Sequence, residues 1–504
     1  MKRCILIFIT VLSFSCYAQN ENIYLTKSEI ENDLKVLDDI LQNKSSYQGL
    51  NGFDYRLDFR SFLETMKENT VTKSDFGLFL SKTISKIGDR HSSISGYDLP
   101  ESLYFPLAFA PYHEKILVID YDSNSKTYNN WNPEYPYLKA INSIPIEAIL
   151  PLIRPGDLLA PHTSYFSYAV RDLRDIETVF SLLKKELSQQ VQMTLCNEKA
   201  DEKIITVSLV PKQHRSRIWD ERYNKNNFFF DLNDEQRNDK GVIEKFFVKE
   251  NGIAYIQITS MLEKEESPVF FDILNNFMEG AKESEALIID VRDNAGGTRD
   301  LIQELAGYLI HPDSIYVVNA VNQRGEQPLS DEFQEELHSR FLFAKSELNT
   351  DEQKIVNDFT NSFQPTYDLD KKKFSDFYYY VLNGKKLSNN RYHYNKPIYI
   401  LANEKTFSAA SVLVSVFKGL PNITIVGVNT DGSSGNSERF ELPNSGLKGK
   451  ISTMVSFQKN GKLLDGIGTS PDIQIERNLD QIFWKEDYQL NKLKELIQQK
   501  FRLD

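Results

Sequence analysis

The sequence predicts a multidomain α+β protein. Three observations carry this: apolar residues at helical spacing behind cap residues in the first hundred positions, short apolar strands between 100 and 213, and near-continuous apolar strands alternating with helices beyond about 241. The chain has 504 residues, 40% hydrophobic and 12% aromatic, enough to bury several cores without metal or disulfide staples. Its 59 Lys+Arg against 71 Asp+Glu give a net charge of −12, and no cationic block exceeds Lys371-Lys372-Lys373. Binding a phosphate backbone needs clustered cations, so nucleic acid is not expected as a partner.

Residues 1–18 read as a signal peptide: Met1-Lys2-Arg3 is cationic, Ile5 to Phe14 is apolar, and Ser15-Cys16-Tyr17-Ala18-Gln19 follows. The apolar run is too short to cross a bilayer, which takes about 20 residues. Two routes fit, cleavage after Ala18 or a lipid anchor through Cys16. Either exports the chain to a periplasm, to an outer membrane as an associated protein, or to the exterior. Cleavage leaves Cys196 as the one thiol, so no internal disulfide is expected, and its alternating surroundings read as a buried strand.

Residues 20–98 read as an N-terminal helical domain. Thr26-Lys27-Ser28-Glu29 is a capping box before Ile30, Leu34, Leu37 and Leu41, and Ser74 is the expected cap of a helix burying Phe76, Leu80, Ile84 and Ile87. Residues 100–213 form a β-rich module with strands at Ile116–Ile119, Tyr137–Ile141 and Lys203–Val210 and helices near Ile146–Ile153 and Ile176–Leu187. The polar, aperiodic stretch 214–240 reads as a linker. Residues 241–504 form the α/β core, with strands Ile253–Ile258, Ala286–Val291, Ile315–Asn319, Pro397–Leu401 and Ile423–Val428 and helices near Val269–Ala281, Arg299–Ile310 and Ser408–Phe417. An insertion at about 325–390 carries Phe374, Phe377, Tyr378, Tyr379 and Tyr380, read as core in preference to a channel lining.

Zinc-peptidase, dinucleotide and P-loop motifs are absent, so no metal and no cofactor are expected. In open α/β sheets ligands gather at the carboxyl ends of strands. Two segments stand there. Asp290-Val291-Arg292-Asp293-Asn294-Ala295-Gly296-Gly297-Thr298 has paired glycines that allow backbone N–H groups close to a developing anion; taken alone it reads first as a tight β-to-α turn. Ala402-Asn403-Glu404-Lys405-Thr406-Phe407-Ser408-Ala409-Ala410-Ser411 puts Ser408 at a helix N-terminus, where an isolated serine would be a cap. A third segment, Gly88-Asp89-Arg90-His91-Ser92-Ser93, places a histidine just past a helix.

These segments, in this order and with Asp465-Gly466-Ile467-Gly468-Thr469-Ser470-Pro471-Asp472-Ile473, closely resemble the C-terminal processing (tail-specific) and tricorn-core serine peptidases. The resemblance implies a PDZ-like or related module around Tyr137–Ile149 and a ClpP/crotonase-like peptidase core. By it Ser408 is the nucleophile, and Ala409 N–H with Gly296 or Gly297 N–H is the oxyanion hole. The processing peptidases' base is a lysine after a Gly-x-x-Thr-x-Gly segment; here Gly427-Val428-Asn429-Thr430-Asp431-Gly432 is followed by Ser433. The tricorn-like branch uses histidine, which His91 matches. Asp465 then stands for its usual Glu, acting directly or through a hydroxyl such as Ser433, while Arg90 and Ser411 depart from the family pattern. With Ser408 and His91 317 positions apart, the site forms only where the helical domain docks on the core. The implied activity is an exported serine-type endopeptidase acting on peptides or unfolded polypeptides, with oligomeric state open. The alternatives are a catalytically impaired peptide- or lipophile-binding protein on the same fold, and an esterase using the same site.

Overall fold

A computed structural model describes residues 23–66, 68–154, 160–219, 235–433 and 436–501. The signal-peptide reading and residues 220–234 of the linker lie outside them. The described start of that linker is docked: Trp219 is buried and its Nε1–H donates to Ile482 O at 3.1 Å.

The Lys27–Lys44 helix has the expected capping box, with Thr26 Oγ1 accepting from Glu29 N–H and Glu29 Oε2 accepting from Thr26 N–H. The helix predicted behind Ser74 runs Lys73–Ser85 and is capped instead by Thr72, whose extended backbone lets its hydroxyl accept from Asp75 N–H. A helix at Tyr55–Thr65, not predicted, packs between them. These helices bury Leu34, Leu41, Phe76 and Leu80 in one cluster with Leu447, Ile451, Val455 and Phe457 from near the C-terminus. Strand Ser93–Ser95 pairs antiparallel with Lys448–Ser452, so the N-terminal region and the 447–457 segment share both a core and a sheet.

In the β-rich region the strands run Glu202–Ser208, Gln190–Cys196, Tyr137–Ile141, Lys115–Asp122 and Ala108–Tyr112, all antiparallel. Cys196 ends its strand half-buried rather than buried.

The central sheet orders Phe247–Glu250, Ile253–Gln257, Ala286–Asp290, Ile398–Ala402, Ile423–Gly427 and Ile473–Gln474, parallel except for its first, edge strand. Helices Pro268–Gly280, Asp300–Leu309 and Ala409–Phe417 cover one face over Ile256, Ile289 and Ile400. Leu493 and Ile497 of helix Tyr488–Phe501 cover the other. Covering on both faces explains the continuous apolar strands. The strand expected at Ile315–Asn319 corrects one assignment. It extends to Gln323 and lies in a second, antiparallel sheet between Tyr378–Asn383 and Met454–Gln458. In the insertion Phe374, Tyr379 and Tyr380 are buried, so those aromatics are core.

Candidate active site

Strands Ala286–Asp290 and Ile398–Ala402 are neighbours in parallel, so the segments that follow them leave the sheet side by side. Their turns are laced together. Asn403 Oδ1 accepts from Asp293 N–H at 3.0 Å, Thr406 Oγ1 donates to Val291 O at 2.9 Å, and Phe407 N–H donates to Asn294 O at 2.9 Å. Ser411, one turn into the helix, spends its hydroxyl on Thr406 O at 2.6 Å and so closes the turn.

Ser408 emerges from this frame with φ 51° and ψ −128°, and its side chain makes no capping bond to the helix it begins. Glycine adopts this backbone freely and serine rarely; such strain costs on the order of 1–3 kcal/mol and persists only where the surroundings impose it. The surroundings include Gly296. A Cβ there would lie 2.5 Å from Ser408 Cβ and one on Gly297 would lie 2.1 Å from Met261 O, so neither position admits a side chain. The Gly296 N–H donates to Asn294 Oδ1 at 2.8 Å, which corrects the expectation that either glycine is available: Gly296 is a wall, and its amide is engaged. Met261 N–H bonds Gly296 O and Thr298 N–H bonds Met261 O, a ladder that bypasses the Gly297 N–H. Ala409, the first residue of its helix, has no helical carbonyl behind its own N–H. Gly297, Ser408 and Ala409 line one cleft of about 380 Å³.

His91 Nε2 stands 3.4 Å from Ser408 Oγ. The ring is 6% exposed and lies 5.3 Å from the Phe407 ring. Ser433 Oγ is 2.7 Å from its Nδ1 and 3.2 Å from Nε2, while Asp465 Oδ1 is 4.0 Å from Nδ1, beyond direct hydrogen-bond reach. Thus His91, Ser408, Ser433 and Asp465, singled out in sequence, meet in space.

The loop bearing His91 is held by groups to which the sequence assigned no such role. Asp89 Oδ1 accepts from the N–H groups of His91 and Ser92 and from Ser452 Oγ, and its Oδ2 accepts from Ser92 Oγ. Arg90 Nη2 pairs with Asp431 Oδ2 at 3.0 Å, both side chains buried, joining the histidine loop to the segment leading to Ser433. Tyr47 OH donates to Asp465 Oδ2 at 3.0 Å. Burial, with the nearby Asp465 and Asp89 charges, holds the Tyr47 phenol well above its ordinary pKa, so it remains a donor. Asp89 was legible as a neighbour of His91; nothing near Tyr47 in sequence points to this site.

Residues 252–475 match the model for Peptidase family S41. Over that stretch the α/β core is similar to peptidase family S41. Across the S41 core and its flanks, the chain is similar in fold to mature CPAF, with TM-score 0.63 and 16% identity over 95% of this chain and 99% of that one. CPAF complexed with lactacystin gives TM-score 0.62 over 95% and 100%. A 113-residue stretch is 28% identical to an uncharacterized protein of Chlamydia muridarum, covering 22% of this chain and 19% of that protein. A 111-residue stretch is 32% identical to a protein of Chlamydia trachomatis serovar D, covering 21% and 18%. The matched stretches thus span about a fifth of the length of these curated relatives. The family match supports a serine-type peptidase.

Proposed function

We propose that this S41 core is an active serine endopeptidase. The observation that carries the reading is Ser408 itself: a serine in a strained, glycine-like backbone, not capping its helix, with its hydroxyl 3.4 Å from a buried imidazole nitrogen. Strained nucleophile turns of this kind hold a hydroxyl clear of its own backbone. Somewhat long contacts are ordinary before substrate tightens a site.

Ser408 Oγ attacks a peptide carbonyl carbon while His91 Nε2 takes its proton. The carbonyl oxygen becomes an oxyanion facing the Gly297 and Ala409 N–H groups. Collapse of the intermediate expels the amine, which takes the proton back from His91, and water repeats the cycle on the acyl-enzyme. Ser433 accepts from Nδ1–H, fixing the tautomer with Nε2 free as base; Asp465, oriented by Tyr47, supplies negative charge 4.0 Å from the ring as imidazolium forms. A 580 Å³ groove among Ile116, Tyr137, Leu138, Ile146, Leu150 and Phe166 supports docking of peptide or unfolded polypeptide on the PDZ-like module. The residue 1–18 signal supports export. Among the described residues, no helix is long and apolar enough to cross a membrane.

The test is hydrolysis of an unfolded protein and of a peptide-ester pair by the purified mature chain. The reading expects internal peptide-bond cleavage that disappears in Ser408→Ala. Folded wild type that cleaves neither substrate would favour the binding-protein alternative, and cleavage of the ester alone the esterase.

A further inference from the structure

The cleft beside Ser408 has one ionised group whose situation is unlike the rest. Arg299, at the start of the Asp300–Leu309 helix, is 4% exposed and lines the cleft. Its Nη1 donates to Arg340 O at 3.1 Å and its guanidinium lies 5.5 Å from the Tyr380 ring centre, yet no carboxylate lies within ion-pair distance among the described residues. Its charged neighbours in the cleft are otherwise placed. Arg340 Nη2 is taken by Glu336 Oε1 and Asn436 Oδ1, Asp300 Oδ2 accepts from Lys264 N–H, and Glu263 is exposed to water. A buried cation without a counter-ion is costly and gains most from a carboxylate brought to it, whereas solvated carboxylates gain little from a new partner. Burial, with Arg340 nearby, holds the Arg299 pKa down to about 10, consistent with an uncompensated charge that remains ionised at neutral pH.

The cleft also has a direction. Gly297, Ser408, Ala409 and Val412 line it, and His91 does not. The imidazole must face the departing amine, so the cleft that shares the oxyanion amides but not the imidazole receives the acyl side of the substrate. We propose that this cleft selects an acidic residue: the side chain of the residue whose carbonyl is attacked is Asp or Glu, with its carboxylate bound by Arg299. Arg299 is a specificity residue that touches substrate, and the proposal rests on Ser408 being the nucleophile.

The test compares kcat/KM for peptides identical except for Glu, Gln, Asp, Asn, Leu or Lys at that residue, with a fluorophosphonate label as an independent report on Ser408. The expected result is a preference of at least about tenfold for the better carboxylate over its isosteric amide, and more over Lys. Arg299→Gln is expected to bring that ratio near one, a comparison made within a single protein and so independent of its overall activity. Should the buried substitution prevent folding, the wild-type ratio alone decides. Wild type that labels at Ser408 but takes the amide as well as the carboxylate would overturn the acidic cleft while leaving the peptidase reading intact; wild type that never labels would overturn both.

Discussion

The two halves of the proposed dyad are built in opposite ways. Ser408 is positioned by its own strand end and the adjacent one: the turns at 290–298 and 402–408 bond to each other, and Gly296 packs against Ser408. His91 is positioned by contacts across the whole chain, through Asp89 to Ser452, Arg90 to Asp431, and the strand pairing of Ser93–Ser95 with Lys448–Ser452. The proposed nucleophile is therefore a backbone feature of one sheet and the proposed base a tertiary one. Loss of the Ser408 side chain alters chemistry without loosening the fold, whereas damage to the second loosens the join between the N-terminal region and the 447–457 segment.

The sharpest way to break this contrast is Ser408→Gly. Hydrolysis is expected to fall by about 10⁴ or more, to background. Stability is expected to rise by up to about 1–3 kcal/mol, because glycine relieves the strain. A melting temperature that drops would contradict the strained-turn account. Gly296→Ala comes next. Its Cβ has no room beside Ser408, so activity is expected to fall by about 10²-fold or more with the His91 loop undisturbed; near-normal turnover would show that the wall can give.

On the histidine side the balance is reversed. Asp89→Ala leaves the N–H groups of His91 and Ser92 without their acceptor, and is expected to cost about 2–3 kcal/mol in denaturant unfolding as well as most of the activity. If stability is unchanged, the loop is held by something other than this carboxylate. Tyr47→Phe removes one hydrogen bond to Asp465, with about tenfold lower kcat/KM and about 1 kcal/mol of stability expected. An unaltered rate would mean that Asp465 needs no orienting partner.

The same contrast explains what could be read from sequence. The strands and helices around Ser408 follow from apolar runs and local caps, and the segment order resembling the tail-specific peptidases singled out Ser408, His91, Ser433 and Asp465. The Tyr47 contact bridges 418 residues and the Asp89–Ser452 contact 363, and no local pattern encodes such distances. The Ile315–Gln323 strand was visible as a strand, but an apolar run does not say which sheet it joins. Ser74 and Thr72 are both competent caps, and the choice was made by the backbone, extended at Thr72. Gly297 could be told from Gly296 only when the Asn294 side chain was seen to occupy the Gly296 amide.

The central claim, that Ser408 is activated by His91, is tested most directly by mapping a fluorophosphonate adduct by mass spectrometry on the mature protein, on Ser408→Ala and on His91→Ala, each shown to be folded. The account predicts a single adduct on Ser408 in wild type, none in Ser408→Ala, and labelling slowed by about 10³-fold in His91→Ala. Labelling of His91→Ala at the wild-type rate, or an adduct on any other serine, would contradict it.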